Sequence, residues 1–211
     1  MRPVKIWSFP SLSLLTVGLL SALSLQLVSG CARPDWFVGV GGKYNQAKEE
    51  IARRRGGNID KAIQNLEAIV QKDPTYRDSL TLLGRAYYKR ERYNDARLIL
   101  QRSLVVNSSD EIAWIVLGLT QLRLGEDEKG LEAVKGGITL LNKQSTDGYR
   151  GHANWDRAGK VRVSIRRAIV VALKGLEEKE NLLRSVEAIL ATMDEEEFHQ
   201  RVEKVYDHVQ E

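Results

Sequence analysis

The sequence has a single cysteine, Cys31, among 211 residues, so no disulfide can form within the chain. It has only 4 prolines and no Ser/Pro-rich or Gln/Asn-rich tract, which argues against an extensive disordered region. Its three histidines, His152, His199 and His208, sit at no metal-ligand spacing, and His199 and His208 project to opposite sides of a helix. No glycine-rich phosphate loop, nucleophile elbow or zinc motif is present. These absences leave no candidate catalytic residue, no metal site and no cofactor, and the expectation is that the chain is not an enzyme. An excess of one charge is lacking too. The chain has 32 basic and 28 acidic residues. Setting aside Arg2 and Lys5, in a segment read below as removed, leaves near-balance and no case for nucleic acid.

What is present begins with an address. Residues 1–10 carry Arg2 and Lys5 and no acid, and Leu12 to Val28 is uncharged. A basic start, an apolar middle and small residues at the end describe a secretory signal. Its last residues, Val28-Ser29-Gly30-Cys31, resemble the lipobox of bacterial lipoproteins. The resemblance implies that the Cys31 thiol is alkylated with diacylglycerol, that the chain is cut just before it, and that the new amino group is acylated, commonly with palmitate. Two or three acyl chains, at about 0.8 kcal/mol per buried CH₂, hold a protein on a membrane. Ala32 beside the lipidated cysteine implies the outer membrane rather than the inner. The expected organisation is a signal peptide over 1–30, a lipidated tether over 31–42, repeats over 43–144 and a helical cap over 145–211.

The mature part repeats every 34 residues. Ala62, Ala96 and Gly130 share one phase, Leu66, Leu100 and Val134 another, and Leu83-Gly84 recurs as Leu117-Gly118. This period and pattern resemble the tetratricopeptide (TPR) repeat. The unit Arg77–Asp110 keeps Leu83, Gly84, Tyr87, Ala96 and Leu100. The unit Glu111–Gln144 keeps Trp114, Leu117 and Gly118 and departs at Gln121 and Gly130. The unit Lys43–Tyr76 keeps only Ala62, Leu66 and Pro74. The expected fold is all-α, a helix-turn-helix solenoid of about three TPR units with a C-terminal helical cap. Trp114, at a marked position, is expected to pack between helices.

Beyond Gln144 a polar, glycine-bearing link runs to about Asn154, and three apolar stripes follow. Val161, Ile165, Ala168, Ile169, Ala172, Leu173 and Leu176 predict one helix. Leu182, Leu183, Val186, Ile189, Leu190 and Met193 predict a second, and Phe198, Val202, Val205, Tyr206 and Val209 a third. The acidic run Asp194–Glu197 is then expected to cap the third helix.

In TPR domains the first helix of each pair lines a concave groove. The resemblance places Tyr44, Ile51, Arg54 and Arg55 there in the first unit. Thr81, Arg85, Tyr88 and Lys89 follow in the second, and Ile115, Leu119, Leu122 and Arg123 in the third. A surface both basic and apolar suits an acidic amphipathic peptide or helix. It does not match the carboxylate clamp of TPR co-chaperones, whose positions here hold Ala47, Ile51 and Thr81. A second candidate face lies on the helix expected over 157–176, where Val163 and Val170 are ringed by Arg162, Arg166, Arg167 and Lys174. It suits an acidic protein partner or anionic lipid head groups. The functional expectation is a lipid-anchored adaptor on the periplasmic side of the bacterial envelope. It would assist assembly of a pilus, secretin, outer-membrane or polysaccharide-export complex. The alternative is a small-molecule-binding TPR lipoprotein that serves a transporter.

Overall fold

A computed structural model describes residues 39–53, 55–146 and 148–209, with main chain alone from 203 onward. The signal, residues 31–38 of the expected tether (with Cys31) and Arg54 lie outside the described residues, while Val40 to Gly42, expected in the tether, form the first turn of a helix. Among those described, eight helices form: α1 (Val40–Ala52), α2 (Ile59–Lys72), α3 (Ser79–Lys89), α4 (Tyr93–Val106), α5 (Glu111–Arg123), α6 (Asp127–Gln144), α7 (Lys160–Leu173) and α8 (Lys179–Val209).

Local chemistry sets several of these boundaries. Asn58 starts α2 by accepting from the Lys61 N–H at 3.0 Å. Asp110 starts α5 by accepting from Ala113 N–H at 2.9 Å. Each satisfies a donor that the first turn leaves without a helical acceptor. Successive helices pair as antiparallel hairpins, and α1, α3 and α5 lie side by side. The core runs through all of them: Ile51, Leu66, Leu83, Leu100, Ile115, Leu122, Ile138 and Leu141 have almost no exposed surface. The fold is an all-α, TPR-like helix-hairpin solenoid.

The closest helix approach is between α5 and α6. A Cβ on Gly118 would lie 2.7 Å from the Val134 nitrogen and 2.8 Å from the Gly130 carbonyl oxygen. A Cβ on Gly130 would lie 2.8 Å from the Leu122 nitrogen. The glycine that breaks the repeat pattern at 130 is thus the partner of the glycine that keeps it at 118. The two backbones approach closely there because neither glycine carries a side chain, and the Val134 and Leu122 side chains pack against the gap.

Several expectations need correction. The second and third C-terminal helices are one 31-residue helix, α8. Neither glycine nor proline interrupts Lys179–Val209, and the buried positions 182, 186, 189, 193, 196 and 200 keep one helical spacing throughout. The stripe changes from apolar to polar at Glu196 without changing period. Asp194–Glu197 is therefore mid-helix and caps nothing. Phe198 is 58% exposed and Leu173 76% exposed, so neither belongs to the core stripe assigned to it.

The link after α6 is also more than a polar connector. Tyr149 and Trp155 are buried with ring centroids 4.8 Å apart. The buried Asp156 carboxylate accepts from the Val161 and Arg162 N–H groups at 2.8 Å each, which caps α7. Trp114 is half-buried rather than enclosed. It packs against the core, and its Nε1–H donates to the Ser108 carbonyl at 2.9 Å.

Candidate functional site

The side chains expected to line the groove divide into two groups. Tyr44, Ile51, Thr81, Ile115, Leu119 and Leu122 are buried in the core. Ala47 and Ile51, two of the positions that depart from the co-chaperone clamp, have no exposed surface. Arg85, Tyr88, Lys89 and Arg123 do converge on one surface, and that surface is covered by α8 of the same chain.

The long helix crosses the three inner helices in reverse order. At its start Lys179 donates to Asp127 of α6 at 2.5 Å. Arg123 of α5 lies 3.5 Å from Glu180 and 3.4 Å from Glu187. Tyr88 of α3 donates to the same Glu187 carboxylate at 2.5 Å. Arg85, one turn earlier on α3, grips both oxygens of Asp194 at 2.8 and 3.0 Å. Lys48 of α1 then pairs with Glu197, and Arg201 lies 3.5 Å from Glu49. The groove is thus basic and tyrosyl, and the helix in it is acidic.

Burial shows in the titration of these groups. Burial, and then the hydrogen bond to Glu187, push the Tyr88 phenol well above its ordinary range. Lys89 shifts the other way. Burial, and then the nearby Arg85 charge, lower its pKa. Its ammonium donates to the Ile51 carbonyl in the last turn of α1, where helical carbonyls lack partners. Between Arg85, Tyr88, Lys89 and the α8 residues Glu187, Leu190 and Ala191 lies an open cleft of about 290 Å³.

A second polar cluster, which sequence reading missed, closes the edge of the groove. Arg150, in the link between α6 and α7, reaches Asp78 at 3.2 Å and Glu111 at 3.5 Å, at the starts of α3 and α5. Tyr149 donates to Glu111, and Tyr44 donates to Asp78 at 2.5 Å. Burial works to raise the Asp78 carboxyl, but the Tyr44 hydrogen bond and the Arg150 charge outweigh it and hold it low. Asp110 ends on the other side of its ordinary value. Burial raises it, against hydrogen bonds from Thr81 at 2.6 Å and from Ala113. The link thus ties the second and third hairpins together.

The other expected face is uncovered. On α7, Val163 is 54% exposed and Val170 58%. Arg166 and Arg167 are exposed, and no partner for either lies among the described residues. Helix α7 has no acidic residue. Leu173 extends this apolar centre toward Lys174, which bonds Glu178 at 3.3 Å. Arg162 pairs with Asp156 at 3.3 Å. Arg55 is exposed in the turn between α1 and α2.

Comparison with known proteins adds three findings. No match is found among curated protein sequences. Among solved structures, a crystal structure of MamA is similar, with a TM-score of 0.47 and 22% identity over 87% of this chain and 91% of that one. Residues 54–118 match the tetratricopeptide repeat family model, so the segment that carries Arg85, Tyr88 and Lys89 has the sequence of a tetratricopeptide repeat as well as its helix-hairpin shape.

Proposed function

We propose that this chain is a non-catalytic adaptor, anchored by lipid at Cys31 in a bacterial envelope, that holds a protein partner on the exposed face of α7. The observation that carries the reading is the contrast between its two basic surfaces. The groove cations Arg85 and Arg123 already have carboxylate partners. Arg166 and Arg167 have none among the described residues, and they flank the exposed Val163 and Val170. An apolar centre with a cationic border suits an acidic amphipathic surface: the apolar side chains supply burial and the rim supplies orientation and encounter rate. The repeat scaffold supports a binding rather than a catalytic role, although fold alone does not choose a function. The lipobox-like Val28-Ser29-Gly30-Cys31 supports the anchor, and Ala32 the outer membrane. The partner would be a component of an envelope assembly.

Capture from detergent-solubilised envelopes tests this reading. The tagged wild-type chain should retain a partner that Arg166→Glu/Arg167→Glu loses, with the helical circular dichroism unchanged and the difference larger at low salt. Equal retention by both would remove α7 as the docking face.

A further inference from the structure

We propose that the cleft between α3, α5 and α8 is a binding site for a small apolar carboxylate of fatty-acid type, whose tail rests on Val116 and Leu190 and whose head group meets Lys89. The folded chain forms this site with α8 in place as one of its walls. It is separate from the α7 face, so neither reading depends on the other.

Shape sets the size and polarity of the ligand. The cleft holds about 290 Å³. Its floor is Val116 of α5, which has no exposed surface. Ala52 of α1 and Leu190 and Ala191 of α8 continue the apolar lining, and small side chains at 52 and 191 leave the space open. The volume lies at the lower end of pockets that hold small ligands, about 300–1,000 Å³. At about 30 Å³ for a water-sized group, it takes roughly ten non-hydrogen atoms.

Charge sets the head group. Arg85, Lys89, Glu187 and Asp194 line the same cleft. Asp194 is held by Arg85. Glu187 is held by Arg123, from outside the cleft, and by the Tyr88 hydroxyl. Lys89 has no carboxylate partner among the described residues; its bond is to the Ile51 main-chain carbonyl. One carbonyl uses one of the three ammonium donors. Burial and the Arg85 charge hold the Lys89 pKa below the usual lysine value, the response of a cation without a matching anion. Lys89 is exposed while it lines the cleft, so it stands at the mouth. An apolar floor below an unmatched cation suits an amphiphile that enters tail first. A neutral alcohol of the same length forgoes the ion pair, and a dicarboxylate would bury a second charge at a high cost. Octanoate, with a single charge and a tail that fits the volume, is the simplest molecule of this class.

Equilibrium dialysis of the full chain in detergent against radiolabelled octanoate tests the site, with 1-octanol as the neutral counterpart. Uptake by micelles is common to every variant, so only saturable binding counts. Wild type should bind octanoate saturably and prefer it to octanol by at least about tenfold, as a charge-assisted contact contributes. Lys89→Met keeps the apolar stem and removes the charge. It should weaken octanoate binding about tenfold and abolish the preference. Ala191→Leu fills the cleft, leaves Lys89 in place, and should weaken both ligands. Absence of saturable binding to wild type overturns the proposal. So does a preference for octanoate that survives Lys89→Met, or an unchanged octanoate affinity in Ala191→Leu with the helical circular dichroism of wild type. If Ala191→Leu does not fold, Lys89→Met decides.

Discussion

Arg85 and Asp194, 109 residues apart in sequence, meet through two hydrogen bonds of 2.8 and 3.0 Å, with both side chains nearly sealed from solvent. Both bonds come from the one guanidinium nitrogen Nη2, and such charge-assisted bonds are stronger than neutral ones. Removing one partner leaves the other desolvated and unmatched. Arg85→Ala should therefore cost roughly 1.5–3 kcal/mol in urea denaturation. Arg85→Ala/Asp194→Ala should cost less than the sum of the two single changes. Additive costs would mean that the pair is not coupled.

The backbone contact between α5 and α6 sets a ranking among the glycines. Gly118→Ala places a methyl against main-chain atoms and should destabilise by about 1–3 kcal/mol. Gly84→Ala first meets the Leu100 side chain, at 2.5 and 2.6 Å, rather than main chain, and should cost less because a side chain can move more readily than a backbone. Thermal denaturation of the two variants checks the order.

Asp110 supplies a pH dependence. Its folded pKa is raised, chiefly by burial, so its contribution to stability is greatest below the unfolded value and is lost as pH rises through the folded one. Asp110→Asn keeps a capping oxygen for Ala113 and removes the buried charge. The stability of Asp110→Asn relative to wild type should therefore increase from about pH 4 toward neutrality. A difference that stays flat in urea titrations across that range would contradict the assignment.

For Trp114, half-burial lowers the expected cost of truncation. An enclosed core Trp→Ala change costs about 3–5 kcal/mol. This indole packs against the core, bonds the turn before α5 and stays partly exposed, so about 1–2 kcal/mol is expected for Trp114→Ala. Chemical denaturation decides between the two ranges.

Cys31→Ser should abolish fatty-acid labelling of the chain and leave an uncleaved precursor of higher mass. Equal label on wild type and variant in metabolic labelling would end the lipoprotein reading.

The repeats were legible because they are local. A 34-residue period, small residues at Gly84, Ala96 and Gly118, and one apolar stripe per helix fix each hairpin from its own sequence. The break expected at Asp194 came from reading polarity as an end. The spacing from Leu182 to Gln200 runs on unchanged, and a helix ends where its period or backbone fails, not where its stripe turns polar. The groove residues Arg85, Tyr88, Lys89 and Arg123 were placed on one surface by repeat register. Their occupant was not identified, because Glu187, Asp194 and Glu197 lie between 64 and 149 residues away from them and from Lys48. One signal was available: residues 176–211 hold 11 acidic against 4 basic side chains, whereas 31–105 hold 9 against 15. The Arg150 cluster gave no comparable sign, since a lone arginine in a glycine-bearing link has no periodicity to mark it.

The reverse path of α8 across the hairpins also bears on how the molecule is made. Each hairpin closes on residues a few turns away, a kind of contact that forms quickly. Helix α8 must instead find α5, α3 and α1 across most of the chain, and it follows all three hairpins in chain order. Until it arrives, Arg85, Tyr88 and Arg123 face solvent on hairpins that are already folded. Docking of α8 is thus set to be slower than closure of the hairpins, and for that interval the folded hairpins display a cationic surface that α8 later covers.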